Sequence, residues 1–387
     1  MKKNRNCFLG ICSLLLILTG CWDVVNIEDR GFIIGNSIDL VDSANSDQPE
    51  LLVTNQIVIG SGIPSAANEG GDKKAFINFK TTGKSIYKME EEIATISNNT
   101  PFYEHLTTLI VSEKVAEKER LFTNLLDTYI RNVNLRRGIQ VVIAKNEANK
   151  VLEYTTPDIP LPAMHIEEML ERGSRETGLL APTTLGDIEE YQLNKNSYVL
   201  PYLELKDVLS YQAGAVFHGP KDKMVGLFNM DDMLALSLFR GEKTTKIIEA
   251  PFKDNTFTLQ INRLNSTLNV DSSDISAIKI NLTLEVEGII KETFMTEDLS
   301  SQKVVESVQD EMSKEISKRI KETFTKAQKE FGTDVFRIWQ ELETKHYEKW
   351  QKIKDNWEEG EYYFKDAQLI VDVVTEIYSI GAINRTR

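Results

Sequence analysis

The first 23 residues, MKKNRNCFLGICSLLLILTGCWD, set the conditions under which the rest of this chain must fold. Lys2, Lys3 and Arg5 precede a short apolar run from Cys7 to Leu18. Leu18-Thr19-Gly20-Cys21 then follows the Leu, small, small, Cys order of a bacterial lipobox. The run is too short to cross a bilayer, so a cleaved signal peptide over residues 1–20 is expected rather than a retained helix. The mature chain would begin at a lipidated Cys21, outside the cytoplasm. Each buried methylene contributes about 0.8 kcal/mol and one acyl chain anchors only marginally, but a diacylglyceryl group carries two. All three cysteines lie at or before position 21. Cys7 and Cys12 leave with the signal, so no internal disulfide can form despite an export route that permits one. The fold must therefore rest on buried apolar surface.

The chain has 45 basic and 59 acidic residues, a net charge of −14, and loss of the three basic residues in 1–20 takes the mature form to −17. Such a balance repels phosphate backbones and anionic headgroups, which argues against a nucleic-acid partner. A hydrophobic fraction of 41% is ordinary for a globular protein. A mature chain this long exceeds what one core serves, so two or three domains are expected. No second segment is long and apolar enough to span a membrane.

Periodicity divides the chain. Residues 31–40 and 51–59 read as strands rich in Ile, Val and Leu, separated by the turn-forming SANSDQPE. Residues 60–74 are a loop by composition, without a GxGxxG pattern. A strand at 75–82 leads to a helix over 84–97, whose Ile86, Met89, Ile93 and Ile96 share a face. A strand at 106–112, a helix at 121–129 and a strand at 140–144 continue an α/β pattern. The three prolines in 155–165 argue against regular structure there. Helices are expected at 164–172 and 184–193, and a strand at 198–205.

The texture changes near residue 205. A hairpin, 211–218 with 224–227, precedes a short helix at 230–239 and extended segments at 244–250, 256–263 and 275–288. Val304, Val308, Met312, Ile316, Ile320 and Phe324 recur every fourth position within a long helix over 299–331. That spacing gains ~40° per step on the ~3.6-residue turn, so the stripe winds slowly around the helix. The stripe either packs on a curved sheet or is offered to a partner protein. A second helix at 341–357 would place Trp350, Ile353 and Trp357 on one core-facing side, and a strand at 367–381 ends the chain. The expected class is α+β and multidomain. It comprises an N-terminal α/β region over 21–205, of one or two subdomains, and a strand-rich C-terminal region over 206–387 carrying the long amphipathic helix.

The sequence offers no chemistry of a recognised kind. His105, His165, His218 and His346 have no second histidine or cysteine at metal-ligand spacing, and HExxH, GxSxG and Walker patterns are absent. Glu189-Glu190 and Asp231-Asp232 are adjacent acids whose side chains point apart on a helix, and are expected to be solvated. Arg136-Arg137 either receives an anionic partner or pairs locally. Neither catalytic, cofactor-binding nor metal-binding residues are assigned. A solute-binding lipoprotein remains an alternative, since size, anchor and acidity allow it; two similar α/β lobes would mark one.

A run of motifs supplies the stronger reading. Gly20-Cys21-Trp22-Asp23, Ile27-Glu28-Asp29-Arg30-Gly31-Phe32, Gly35 and Asp39 are followed in order by Gln56, Gly83-Lys84-Ser85 and His105. Leu126-Asp127, Arg131 and Arg136-Arg137 come next, then Gly214-Ala215-Val216-Phe217, Val225-Gly226-Leu227, Asp334, Trp350 and Gly381. This order resembles the Ger(x)C family of spore germination lipoproteins over almost the whole mature chain. The resemblance implies a mixed α and β fold in three domains. It implies the non-enzymatic C subunit of a nutrient germinant receptor, held by its lipid on the outer face of the spore inner membrane beside integral membrane subunits of A and B type. Only Cys21 carries over a chemical role, lipidation.

Overall fold

A computed structural model describes residues 29–41, 49–63 and 74–379. The leader, the lipobox with Cys21, and Trp22 to Glu28 lie outside these residues, as do 64–73 and Gly381. Among the described residues, thirteen strands build two sheets, of nine and four strands. The protein is a mixed α and β structure, as its periodicities predict.

The first sheet takes up the N-terminal half and more. Its elements in chain order are β1 (Arg30–Leu40), β2 (Leu51–Val58), β3 (Phe76–Gly83), α1 (Ile86–Ile96), β4 (Thr100–Phe102), β5 (Thr108–Ser112), α2 (Glu113–Ala116) and α3 (Leu121–Arg131). There follow β6 (Gln140–Ala144), α4 (Ala148–Val151), α5 (Pro162–Thr177), α6 (Leu185–Leu193), β7 (Tyr198–Leu205), β8 (Leu209–His218) and β9 (Lys223–Phe228). The strand order is β3-β2-β1-β5-β6-β7-β8-β9, with β4 against β1. β1, β5, β6 and β7 are parallel, and an antiparallel wing flanks them on each side. β5 and β6 are buried on both faces, which is why they read as unbroken apolar runs. Leu109, Val111, Val141 and Ile143 face one core with α1, α3 and α6; Ile110, Val142 and Ala144 face the other with α5. The hairpin β7–β8 spans residue 205, so both halves of the chain contribute to this sheet.

The second sheet follows α7 (Met230–Phe239). It consists of β10 (Lys246–Phe252), β11 (Asn255–Asp271), β12 (Lys279–Thr293) and, after α8 (Gln302–Thr325), α9 (Ile338–Lys345) and α10 (Tyr347–Ile353), the last strand β13 (Gln368–Ser379). β12 and β13 are parallel, which requires the long helical crossover between them. α8 lays Val308, Met312, Ile316, Ile320 and Phe324 into the core, so its stripe packs on the sheet. Its polar side chains hold β13 as well. Gln309 Oε1 accepts from Ile377 N at 3.0 Å, the Ser313 hydroxyl lies 2.9 Å from that of Thr375, and Ser317 Oγ donates to Val371 O at 3.3 Å. These contacts cover a strand that would otherwise end the sheet unpartnered. α7 is buried almost all round and sits in the core that both sheets share.

Several sequence expectations shift in detail. α5 begins at Pro162 within the stretch expected to be irregular, because proline at the first helical position loses no hydrogen bond. Ile96, expected on the apolar face of α1, is half exposed at its last turn. The helix expected over 299–331 changes to a π turn at Lys326–Phe331 and stops at Gly332, whose φ is +70°. The helix expected over 341–357 breaks at His346 into α9 and α10, while Trp350, Ile353 and Trp357 are buried together as predicted. β11 runs eight residues past the expected end at 263, after a register shift between Ile261 and Arg263. Its polar outer face, Asn265, Thr267 and Asn269, obscures the alternation. Asp232 is not solvated surface. It caps α7 in a reciprocal box with Asn229 and takes hydrogen bonds from Thr323 at 3.1 Å and Lys326 at 2.6 Å.

Candidate functional site

The motif residues gather where chain segments are fastened to one another. Three of them hold the 148–163 connection against the first sheet. Asp39 accepts from the backbone N–H groups of Ala148 at 2.6 Å and Asn149 at 2.8 Å, starting α4, and burial pushes its carboxyl up to about 6. Gln56 donates to Leu152 O at 2.8 Å and accepts from Ala163 N at 3.1 Å. Gly35 is glycine because a Cβ there would lie 2.8 Å from Ala163 Cβ and 2.9 Å from Leu152 Cδ2.

Elsewhere the roles are similar. Ser85 caps α1, accepting from Lys88 N at 3.4 Å. His105 packs against the rings of Phe32 and Phe102, with Arg30 4.4 Å over Phe102. Asp127 pairs with Arg131 at 2.6 Å along α3. Arg137 pairs with Glu189 at 2.5 Å, which settles that position as local ion pairing, and Arg136 is exposed. Gly214 leaves space for Met233 and Val199, and Gly226 for the ring of Phe331. Among the described residues no group of three or more His, Cys, Asp or Glu is placed to hold a metal. Cys21 lies outside the described residues.

The most elaborate fastening joins the β7–β8 end of the first sheet to the turn before α9. Asp334 is fully buried. Its carboxylate accepts from Ile338 N at 3.1 Å, Trp339 N at 2.8 Å and Trp357 Nε1 at 2.9 Å, so it caps α9 and holds the tryptophan across from it. Its own N–H donates to Glu358, whose other carboxyl oxygen lies 2.9 Å from Ser197 Oγ. Gly219 N donates to the same Ser197 oxygen at 3.0 Å. Ser197 precedes β7 and Gly219 follows β8, so the chain ends of the hairpin and the C-terminal helices meet through one buried serine.

The two buried carboxyls titrate well above their ordinary range. Burial pushes Asp334 up to about 7, and burial with the Asp334 charge pushes Glu358 up to about 8. Three N–H donors on Asp334 favour its ionised form, so Glu358 is the carboxyl that keeps its proton to the higher pH. His218 beside them is held neutral, its pKa lowered to about 4 by burial and by Lys221 and Lys223.

The same turn is gripped from the other side by guanidinium groups. Arg240, at the end of α7, donates to Val335 O at 2.6 Å. Arg337, whose φ is +64°, donates to the Tyr191 hydroxyl at 2.5 Å and lies 5.6 Å over that ring. Tyr191 stacks on Tyr198 at 5.3 Å, and Tyr198 on Phe217 at 4.9 Å. An aromatic ladder thus runs from Arg337 into the core of the first sheet. The sequence reading missed Ser197, Arg240, Arg337 and Glu358. They come from four distant segments, and no local spacing links them.

Residues 23–205 match the model of the spore germination protein N-terminal domain, and residues 212–381 that of the spore germination B3/GerAC-like C-terminal domain. The chain belongs to the Ger(x)C family of spore germination proteins. Among its Ger(x)C relatives in Bacillus subtilis strain 168, spore germination protein YndF is 24% identical over 405 residues, covering 99% of this chain and 98% of the relative. Spore germination protein B3 is 22% identical over 387 residues, covering 99% and 100%. Spore germination protein A3 is 25% identical over 392 residues, covering 99% and 100%. The crystal structure of the GerBC protein superposes with a TM-score of 0.61 at 16% identity, covering 92% of this chain and 100% of that one, so the two share a fold.

Proposed function

We propose that this chain is the non-catalytic, lipid-anchored C subunit of a nutrient germinant receptor, working with two integral membrane subunits of A and B type at the spore inner membrane. The observation that carries the reading is the pair of family matches, which together run from residue 23 to 381 and preserve the order of both domains. The lipobox ending at Cys21 supports tethering on the non-cytoplasmic face. No helix among the described residues is long and apolar enough to cross a membrane, which accords with attachment through lipid. The motif residues support a scaffold rather than a reaction centre: their side chains cap helices, fasten connections and clear space for packing. The alternative of a solute-binding lipoprotein fits poorly, because a nine-stranded and a four-stranded sheet with a common core are not two similar lobes.

Deletion of the gene tests the proposal. Spores should form normally and lose germination with one nutrient while keeping germination with a non-nutrient trigger. Unchanged responses to every nutrient, in a strain without a paralogue, would contradict it.

A further inference from the structure

A cavity of about 390 Å³ opens beside the Arg337 turn, between α6 and β7 on one side and the α7–β10 connection on the other. Its walls bring Arg240 and Arg337 together with the rings of Tyr191 and Tyr198 and the apolar side chains of Leu180 and Val199. Two guanidinium groups facing one cavity are costly without an anion between them. Burial and the neighbouring Arg337 charge lower the pKa of Arg240 to about 10. The anions at hand offset the two charges only in part. Glu242 forms only a loose ion pair with Arg240, at 3.8 Å and beyond hydrogen-bond range, Asp334 acts on Arg240 through its charge, and Asp187 is engaged by Thr184 at the start of α6. Arg337 is held by a phenol and its ring, and among the described residues no carboxylate pairs with it. Arg240 Nε is buried with no hydrogen-bond partner. A buried donor of this kind is normally satisfied.

We infer that the Arg240–Arg337 cavity is a binding site for a small carboxylate with an apolar body, the carboxylate meeting the guanidinium pair and the body lying against Tyr191, Tyr198, Leu180 and Val199. A planar carboxylate matches the fork of a guanidinium, and the apolar walls favour an organic acid over a bare inorganic anion. The cavity draws its cations from the second family domain and its aromatic wall from the first, with Tyr191 and Tyr198 in 23–205 and Arg240 and Arg337 in 212–381. A bound acid would therefore bridge the two. This inference concerns the cavity alone and stands apart from the receptor reading.

The test is calorimetric titration of the mature lipidated protein in detergent with benzoate, acetate and inorganic phosphate at matched ionic strength. Saturable benzoate binding is expected, at least about tenfold tighter than acetate. It should be lost in Arg337→Gln and weakened in Arg337→Lys, which keeps the charge without the fork. Binding of phosphate but not benzoate overturns the carboxylate assignment. No saturable binding at millimolar concentration, or benzoate binding unchanged in Arg337→Gln, overturns the site. Should these variants fold poorly, phenylglyoxal modification of the wild type decides the matter. Benzoate should protect Arg337 in peptide mapping, and an unchanged modification rate refutes the inference.

Discussion

Replacing Glu358 by Gln separates the proton at the domain junction from the hydrogen bonds that surround it. A glutamine has the same shape. Its carbonyl can accept from Asp334 N, and its amide can donate to Ser197 Oγ, which already accepts from Gly219 N. What disappears is the titration. Glu358 is raised from its ordinary 4.5 to about 8, chiefly by burial and then by the Asp334 charge. The folded state therefore keeps a proton that the unfolded chain has already released. For such a group stability is greatest below the unfolded pKa, falls as pH rises, and levels off above the folded pKa. The slope is ~1.4 kcal/mol per pH unit, on the order of 4–5 kcal/mol over the whole shift. Denaturant unfolding of wild type and Glu358→Gln from about pH 5 to about pH 9 measures it. The wild-type midpoint should fall relative to the variant up to about pH 8 and then run parallel to it. Parallel profiles throughout would refute the placement of the proton on Glu358.

Other substitutions read the fastenings one at a time. Gln56→Ala leaves Ala163 N without its side-chain partner, while Leu152 O keeps the bond donated by Asn78 Nδ2 at 2.9 Å. It should cost ~1–3 kcal/mol for the one N–H left unpaired, seen as a lower denaturation midpoint and faster hydrogen exchange at Ala163. Gly226→Val would place a Cβ 2.3 Å from Phe331 Cε1, and should destabilise by ~1–3 kcal/mol as the π turn shifts, measured by thermal unfolding. Ile316→Ala removes a fully buried side chain from the centre of α8, with an expected loss of ~2–5 kcal/mol in denaturant unfolding.

Much of the secondary structure was legible because its signal is local. The apolar runs of β5 and β6, the four-residue stripe of α8 and the buried face of Trp350, Ile353 and Trp357 each lie within one segment. The pairing of β1 with β5 follows from tertiary packing that no window of sequence contains, whereas the β7–β8 hairpin is local and simply crosses the boundary expected near residue 205. The junction shows the same limit more sharply. Asp334 stood out only as one of the ordered motif residues, and its carboxyl partner and the serine that links the two halves come from segments with no periodicity of their own. Ion pairing was decided for Arg137 by Glu189, which lies 52 residues away. The Asp231-Asp232 expectation held for the first acid, which is exposed and pairs with Arg319, and failed for the second because the helix N-terminus turns it inward.

Whether this chain is a lipid-anchored receptor subunit is decided by co-purification. Tagged protein should be recovered from detergent-solubilised spore membranes, wild type beside Cys21→Ala. Two polytopic partners should accompany the wild type and be depleted with the variant. Recovery of transporter components, of no partner, or of the same partners in equal amount with Cys21→Ala would contradict it.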